Sequence, residues 1–206
     1  MINLIVIQSL DESERVKSGE EVFQSCRDNG ILSPDSYIVL PNNKSDLLIA
    51  LSTAINKCIT SDDDWIIHID AHSYNQEEGQ TFSFGVSVAG QEVENELSWK
   101  ELHSVLSRLT EKTKGKVILS LAMCYSQDFL TLMKECPIAA IDSIIATTEK
   151  VYPITFICGF NELYQMYSKG RDIKKAFDNT LCKRVDTKTK ECIFKFTKIK
   201  KENQNS

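Results

Sequence analysis

Two residues with reactive side chains follow two apolar runs in this chain. His72 closes the run Asp64-Trp-Ile-Ile-His-Ile-Asp-Ala, and Cys124 closes the run Val117-Ile-Leu-Ser-Leu-Ala-Met. A thiol is a nucleophile and an imidazole is a general acid or base, so the pair suits acyl transfer through a covalent intermediate. The two positions are 52 residues apart (124 minus 72). Only a particular tertiary fold can therefore bring them together.

Both apolar runs have the length and composition of buried β-strands. The segment Ser126-Gln-Asp-Phe-Leu-Thr-Leu-Met-Lys, directly after Cys124, begins with an N-cap residue and an early acid and then shows the apolar spacing of a helix. Cys124 is therefore predicted to lie in a strand-to-helix turn. Both reactive side chains are expected at the carboxyl edge of a parallel sheet, where open α/β folds build their sites.

The remaining chain alternates strand and helix patterns, which predicts right-handed crossovers and a mainly parallel sheet covered on both faces. An alternating run with a Gly-containing turn, 82–93, predicts a β-hairpin between the His72 and Cys124 strands. Ser98 and Glu101 form a capping-box pattern at the start of a helix. Further strands are expected at 2–8, 36–40, 142–148 and 191–197, the last at an edge, and helices at 11–30, 45–59, 98–109, 126–134, 153–169 and 171–181.

Length and composition limit the possible classes of protein. A chain of 206 residues with 42% hydrophobic and 26% charged residues is predicted to form a single domain, 1–197, followed by a flexible basic tail, 198–206. The net charge of -5 gives no support to nucleic acid or an anionic membrane as a partner. The first residues lack a basic leader and a long apolar run, and the seven cysteines lack zinc-site spacing. We therefore expect a cytoplasmic protein with reduced thiols and no cofactor.

The segments around His72 and Cys124 resemble the two catalytic motifs of the caspase-like cysteine peptidases, in which the His lies roughly 50 residues before the Cys. The nearest resemblance is to the bacterial CHAT type, in which a His-Gly pair and an Ala-Cys-x-Ser turn close successive strands. The pattern continues in Ile145-Ala-Thr, in Phe160-Asn-Glu-Leu-Tyr and in Gly170-Arg-Asp-Ile-Lys-Lys-Ala. The resemblance covers about 64–181.

This resemblance implies a three-layer αβα fold with a mainly parallel sheet of about six strands. It implies a cysteine endopeptidase that cleaves a protein substrate, with Cys124 as nucleophile and His72 as general acid. The backbone amides of Ser73 and Cys124 would form the oxyanion hole. Such enzymes are commonly regulated effectors, so a regulatory protein partner or a homodimer is also implied.

Two residues depart from the family pattern. Ser73 replaces the usual Gly after the His, which matters if the backbone there requires a positive φ. Ala122 replaces the Asp that receives a basic substrate side chain in metacaspase-like members, so a preference for Lys or Arg is not supported. Asp70 either orients the imidazole of His72, lines the specificity pocket, or is a satisfied buried carboxylate.

Two other classes of function remain open from the sequence. One is a catalytically inactive caspase-like protein that serves as a binding or regulatory subunit. The other is a metal-binding α/β protein, because the period-two spacing of His68, Asp70 and His72 places their side chains on one face of a strand. A nucleotide-binding domain is not favoured, because the chain contains neither a G-x-G-x-x-G motif after its first strand nor a G-x-x-x-x-G-K-(S/T) motif.

Overall fold

The computed structural model describes residues 1–10, 15–74, 83–85, 96–110, 113–186 and 188–199. These contain the strands β1 (Asn3–Ser9), β2 (Tyr37–Val39), β3 (Trp65–Tyr74), β4 (Ser83–Gly85), β5 (Glu96–Ser98), β6 (Val117–Ala122), β7 (Ile141–Thr147) and β8 (Phe194–Lys198). They also contain the helices α1 (Ser18–Asp28), α2 (Lys44–Thr60), α3 (Trp99–Leu106), α4 (Gln127–Glu135), α5 (Pro153–Gly170) and α6 (Ile173–Asn179), and a 3-10 turn, Leu181–Lys183.

Six strands form the central sheet in the order β2-β1-β3-β6-β7-β8. All neighbouring pairs are parallel except β7 and β8, so the last strand is an antiparallel edge. This confirms the predicted α/β fold with a mainly parallel sheet of about six strands. β4 pairs antiparallel with the end of β3 and also with β5, so a small antiparallel extension begins beside His72. The turn of the predicted hairpin lies outside the described residues.

The two faces of the sheet bury two separate apolar cores, because successive residues of a strand point to opposite sides. Alternate residues of each parallel strand, such as Ile67 and Ile66, belong to opposite cores. The core that contains Ile67 is covered by α2, α3 and α4, and the core that contains Ile66 is covered by α1, α5 and α6. The architecture is therefore three-layered, with helices on both faces of the sheet.

The predicted helix over 11–30 begins later than expected. α1 starts at Ser18, and residues 15–17 are not helical, whereas 11–14 lie outside the described residues. Side chains of β1 and β3 fix the start of α1. The Asp70 carboxylate accepts hydrogen bonds from Ser18 and Gly19, and the Gln8 side chain accepts one from the Glu20 amide at 2.8 Å. Acidic residues before Ser18 therefore did not mark the helix start.

The ends of α5 and β8 differ slightly from the sequence prediction. α5 continues through Gly170, and Arg171 takes the left-handed conformation after it, with φ of 55°. Strand β8 ends at Lys198, one residue past the expected domain boundary, and the Ile199 amide donates to the Asp142 carbonyl at 3.0 Å. The rest of the predicted basic tail lies outside the described residues. Within the described chain, no helix has the length and apolar character needed to cross a membrane.

Candidate active site

The strand register places His72 and Cys124 at the same level of two neighbouring strands. β3 and β6 pair in parallel up to Asp70 opposite Ala122, and His72 and Cys124 each follow two residues later. Both side chains are partly exposed, unlike the strand residues that precede them. The register therefore brings the two strand ends that carry the thiol and the imidazole to the same edge of the sheet.

A strained turn holds Cys124 at this edge. Tyr125 has a positive φ of 53°, which is uncommon for a residue with a side chain. Its amide donates to the Glu149 carbonyl at 3.2 Å in the segment between β7 and α5. Two elements therefore define the Cys124 turn: the end of its own strand and the segment that follows the next strand of the sheet.

The same segment touches the sulfur of Cys124 directly. The Val151 amide donates to Cys124 Sγ at 3.4 Å, and Sγ lies 3.8 Å from the Val151 carbonyl oxygen. Val151 is itself buried, whereas the following Tyr152 is 75% exposed. One side of the thiol is thus covered by protein backbone in this conformation.

A buried hydroxyl network ties the turn to β7. Ser126 Oγ accepts the Thr147 amide at 2.9 Å and lies 3.3 Å from the Leu121 carbonyl oxygen, and Thr147 Oγ1 donates to the Met123 carbonyl. Ser126 lies at the predicted N-cap position of α4, but its side chain makes no capping hydrogen bond there. The hydroxyl instead accepts a hydrogen bond from a backbone amide of the neighbouring strand, so the predicted N-cap position is confirmed but the side chain does not cap the helix.

Ser73 links the two reactive positions. Its hydroxyl donates to the Cys124 carbonyl, and its backbone lies within β3, opposite Phe84 of β4. Among the described residues, the non-glycine residues with positive φ are Tyr125, Arg171 and Lys190, so Ser73 has ordinary strand geometry. The position therefore requires no glycine, and the substitution adds a hydrogen bond between the two strand ends.

Asp70 is buried, and its carboxylate is hydrogen-bonded to the start of α1. Its Oδ2 atom accepts the Ser18 hydroxyl at 2.8 Å and the Gly19 amide. Burial raises the pKa of the Asp70 carboxyl to about 6, although these hydrogen bonds and the charge of His72 favour the ionised form. Of the three roles that the sequence leaves open, the geometry supports a satisfied buried carboxylate that also interacts electrostatically with His72.

His68 lies deeper on the same face, between the sheet and α5. Its Nδ1 atom is 2.8 Å from the Tyr164 hydroxyl, and its ring packs edge-on against Phe160 with centroids 4.7 Å apart. Burial lowers the pKa of the imidazole to about 3. The residues matching the Phe160-to-Tyr164 motif thus pack against the His72 strand from inside the core.

The proposed metal face of β3 does not form a ligand cluster. His68 is hydrogen-bonded to Tyr164, and Asp70 is hydrogen-bonded to Ser18 at the start of α1. Within the described ranges, no group of three or more His, Cys, Asp and Glu residues is arranged to hold a metal ion. In this structure, His68 and Asp70 therefore do not combine with His72 as a ligand set.

No protein-family model matches the chain, and no curated protein matches it. Solved structures do match. The Drosophila initiator caspase Dronc superposes with a TM-score of 0.60 at 8% identity, over 95% of this chain and 78% of that one. A secreted C11 cysteine protease from Bacteroides thetaiotaomicron, solved with an irreversible peptide inhibitor, superposes with a TM-score of 0.53 at 11% identity, over 95% of this chain and 65% of that one. The fold is therefore that of the caspase-like cysteine proteases.

The residues that support the Cys124 turn could not be identified from the sequence. Thr147 and Val151 lie in and after an ordinary buried strand, and nothing in their local pattern indicates contact with Cys124. Ser126, two residues after the candidate nucleophile, has the sequence pattern of a helix start, which does not indicate its hydrogen bond to β7. In the sequence, the only feature that points to this hydroxyl network is a hydroxyl residue, Thr147, near the end of the next predicted strand.

Proposed function

We propose that this protein is a cysteine endopeptidase of the caspase-like class, nearest to the CHAT type, with Cys124 as nucleophile and His72 as general acid. The observation that carries the proposal is the parallel register of β3 and β6, which puts both residues two positions beyond the pair Asp70 and Ala122. A match to the fold alone does not select these side chains. Their common level at the carboxyl edge of the sheet supports them.

The chemistry follows from the two side chains. The Cys124 sulfur attacks the scissile carbonyl carbon of a peptide bond, and the imidazolium of His72 donates its proton to the leaving amine. Water then hydrolyses the thioester, and Cys124 is regenerated. Cys124 lies three residues before the first residue of α4, so the positive end of that helix favours negative charge in the turn.

The backbone amides of Ser73 and Cys124 are the proposed oxyanion hole. Among the backbone hydrogen bonds of the described residues, none is donated by the Cys124 amide, which supports its proposed role in binding a developing oxyanion. The hydroxyl of Ser73 holds the Cys124 carbonyl, which restrains the peptide unit on the other side of the turn. Ser73 therefore supports the site in addition to supplying an amide.

A second candidate function is a non-catalytic caspase-like binding or regulatory subunit. It is favoured by the contact of the Val151 backbone with Cys124 Sγ, because a substrate carbonyl and this backbone compete for space beside the sulfur. In a peptidase, the segment from Thr148 to Tyr152 has to move before a substrate binds. A regulatory protein or a second copy of the chain would supply that change.

Thiol labelling tests the proposal. The purified protein is treated with a peptide-like electrophile, and each labelled cysteine is identified by mass mapping. We expect Cys124 to react much faster than the exposed thiols Cys136, Cys158 and Cys182, which serve as internal controls. His72→Ala is expected to slow the reaction at Cys124, whereas His103→Ala, which changes a half-buried histidine bonded to the Cys136 carbonyl, is expected to leave it unchanged.

A peptide-library assay then separates the two functions. Cleavage that is lost in Cys124→Ala and His72→Ala supports the peptidase. A Cys124 that reacts no faster than the exposed thiols, in a protein that cleaves no peptide, contradicts the peptidase and favours the binding subunit. Because Ala122 lies where metacaspase-like members carry an acidic residue, we expect no strong preference for Lys or Arg before the scissile bond.

A further inference from the structure

Two cysteines outside the candidate active site lie close together near the C-terminus. Cys182 is exposed in the 3-10 turn Leu181–Lys183, and Cys192 is half-buried just before β8. They are ten positions apart in the sequence (192 minus 182). Neither has a role in the proposed peptidase chemistry.

The backbone between them is folded into a tight hairpin. Cys192 pairs antiparallel with Val185. The Ile193 amide donates to the Arg184 carbonyl at 2.9 Å, and the Asp186 amide donates to the Glu191 carbonyl at 2.9 Å. These hydrogen bonds fold the segment that begins with Cys192 back onto the residues that follow Cys182.

The sulfur of Cys192 lies beside the backbone of Cys182. Cys192 Sγ is 3.6 Å from the Leu181 carbonyl oxygen, and that carbonyl belongs to the peptide unit that ends at the Cα atom of Cys182. The two side chains also interact. The pKa of Cys192 is raised by burial and, to a smaller extent, by Cys182. A disulfide forms only between cysteines whose Cα atoms can approach within about 7 Å, and the contact of Cys192 Sγ with the peptide unit next to Cys182 favours that approach.

We propose that Cys182 and Cys192 are a redox-active pair that forms a reversible disulfide on exposure to a small-molecule disulfide such as oxidised glutathione. The exposed Cys182 thiolate attacks one sulfur of the oxidant and releases one glutathione thiolate. Cys192 then loses its proton, its sulfur attacks the sulfur of Cys182, and the second glutathione leaves. The two protein thiols are oxidised to one disulfide, and one molecule of oxidant is reduced to two thiols.

The pair also lies next to the segment that contacts Cys124. The Thr148 amide donates to the Ile193 carbonyl at 2.9 Å, and its hydroxyl lies 3.4 Å from the Cys192 carbonyl oxygen. Thr148 begins the segment whose Val151 covers the Cys124 sulfur. The disulfide would therefore form beside the residues that hydrogen-bond Thr148, outside the candidate active site.

The test uses the full chain carrying Cys124→Ala, so that its result is independent of the proposed peptidase. The native protein is incubated with oxidised glutathione, free thiols are alkylated, and tryptic peptides are mapped by mass. Lysines at 175, 183, 190 and 195 place the two cysteines in separate peptides, 176–183 and 191–195, so a disulfide appears as a linked pair. We expect this linked pair as the main product, with single glutathione adducts on Cys136 and Cys158.

Two single variants are the matched controls. In Cys192→Ser, Cys182 is expected to retain a glutathione adduct, because no second thiol resolves it. In Cys182→Ser, Cys192 is expected to react several-fold more slowly than Cys182 does in the other variant, because its sulfur is partly covered. Separate adducts on Cys182 and Cys192 without a linked peptide would overturn the proposal, as would a linked peptide that forms only in denaturant.

Discussion

At the scale of the residue, the Cys124 turn combines a reactive side chain with a strained neighbour. Tyr125 occupies the left-handed region, which glycine adopts without penalty. The strain persists because the turn is fixed from two sides, by the Glu149 carbonyl and by the Ser126 hydroxyl. Strained backbone is common where a fold has to present a functional side chain.

Tyr125→Gly is expected to raise the free energy of unfolding by about 1 kcal/mol, because it removes the left-handed penalty. Chemical denaturation measures the change. Tyr152→Gly is the matched control, since Tyr152 is exposed and has an ordinary φ of -76°. That control is expected to be neutral or slightly destabilising, and equal effects at the two positions would contradict the argument.

Asp70 predicts a pH dependence with a defined sign. Its pKa in the folded protein is about 6, above the ordinary 3.8, so its stabilising contribution is fully present below pH 3.8 and is lost as the pH rises through 6. Asp70→Asn keeps an acceptor for Ser18 and Gly19 but does not titrate. Between about pH 4 and pH 8, the variant is therefore expected to gain up to about 3 kcal/mol in stability relative to the wild type.

Urea unfolding at several pH values measures this difference. A variant whose stability differs from that of the wild type by the same amount at every pH would show that the Asp70 carboxyl titrates normally. The side-chain amide and the carboxyl are nearly the same size, so packing around the start of α1 is preserved. The pH dependence therefore reports on ionisation and not on shape.

At the scale of the element, a glycine allows the backbones that lead into β3 and β6 to approach closely. This approach lies at the strand starts, at the other end of the sheet from His72 and Cys124. A Cβ atom on Gly115 would lie 1.7 Å from the Asp63 carbonyl oxygen, a contact with backbone that no side-chain movement relieves. The Lys116 amide donates to the Asp64 carboxylate at 2.8 Å, and the Trp65 amide donates to the Lys116 carbonyl at 2.8 Å. This close approach fixes the register that later aligns His72 with Cys124.

Gly115→Ala is expected to destabilise the protein by about 3 kcal/mol or more, because one of the two chain segments has to shift. Thermal unfolding measures the effect. Gly170→Ala is the control, since a Cβ atom there meets nothing within 4 Å. Gly170 ends α5, so alanine there is expected to be neutral or mildly stabilising, and a similar loss in both variants would refute the role of the close approach.

The hydroxyl network between the Cys124 turn and β7 predicts a linked loss of stability and reactivity. Ser126→Ala leaves the buried Thr147 amide without its acceptor, which is expected to cost about 1 to 3 kcal/mol. Ser126 touches no reacting atom. It does hold the turn that carries Cys124, so we also expect slower labelling of Cys124 when its hydroxyl is removed. Ser107→Ala, which removes an exposed hydroxyl bonded within α3, is the control for both readouts.

Labelling of the Ser126→Ala protein should be measured under conditions in which it remains folded. A variant that loses stability but labels Cys124 at the wild-type rate would limit Ser126 to a structural role. Ser126 is therefore assigned as a positioning residue only if both quantities fall together. The Ser107→Ala protein provides the baseline for each measurement.

At the scale of the whole molecule, a buried histidine joins the sheet to its covering helix layer. His68 contacts Phe160 and Tyr164 of α5, and its pKa is lowered to about 3 from the ordinary 6.5. Its contribution to stability is therefore fully present above pH 6.5 and is lost as the pH falls through 3. This sign is opposite to that of Asp70, so the two groups offset each other between about pH 4 and pH 6.

His68→Asn is expected to reduce the acid sensitivity of the protein. The asparagine amide can replace Nδ1 as the partner of the Tyr164 hydroxyl, but it does not ionise. The free energy of unfolding of the wild type is expected to fall, relative to that of the variant, by up to about 5 kcal/mol from neutral pH to about pH 3. Denaturation at a series of pH values measures both proteins, and parallel curves would contradict the buried neutral imidazole.

Much of the fold could be predicted from sequence because local patterns were strong. The buried strands carry continuous apolar runs, and the capping box of Ser98 and Glu101 marked the start of α3 correctly. The start of α1 could not be predicted, because its cap comes from Asp70 and Gln8 on two strands that are distant in sequence. A helix start that depends on distant side chains leaves no sign in the neighbouring residues.

The sequence by itself determined the order of strands and helices, the strand ends that carry His72 and Cys124, and a resemblance that predicted their level in the sheet. Only the tertiary structure decided what surrounds them: the hydroxyl of Ser73 on the Cys124 carbonyl, the Val151 backbone on the thiol, and α1 on Asp70. Periodicity and capping act over a few residues, so sequence reports them. These three contacts join residues 27 to 51 positions apart, so they exist only once the sheet has formed.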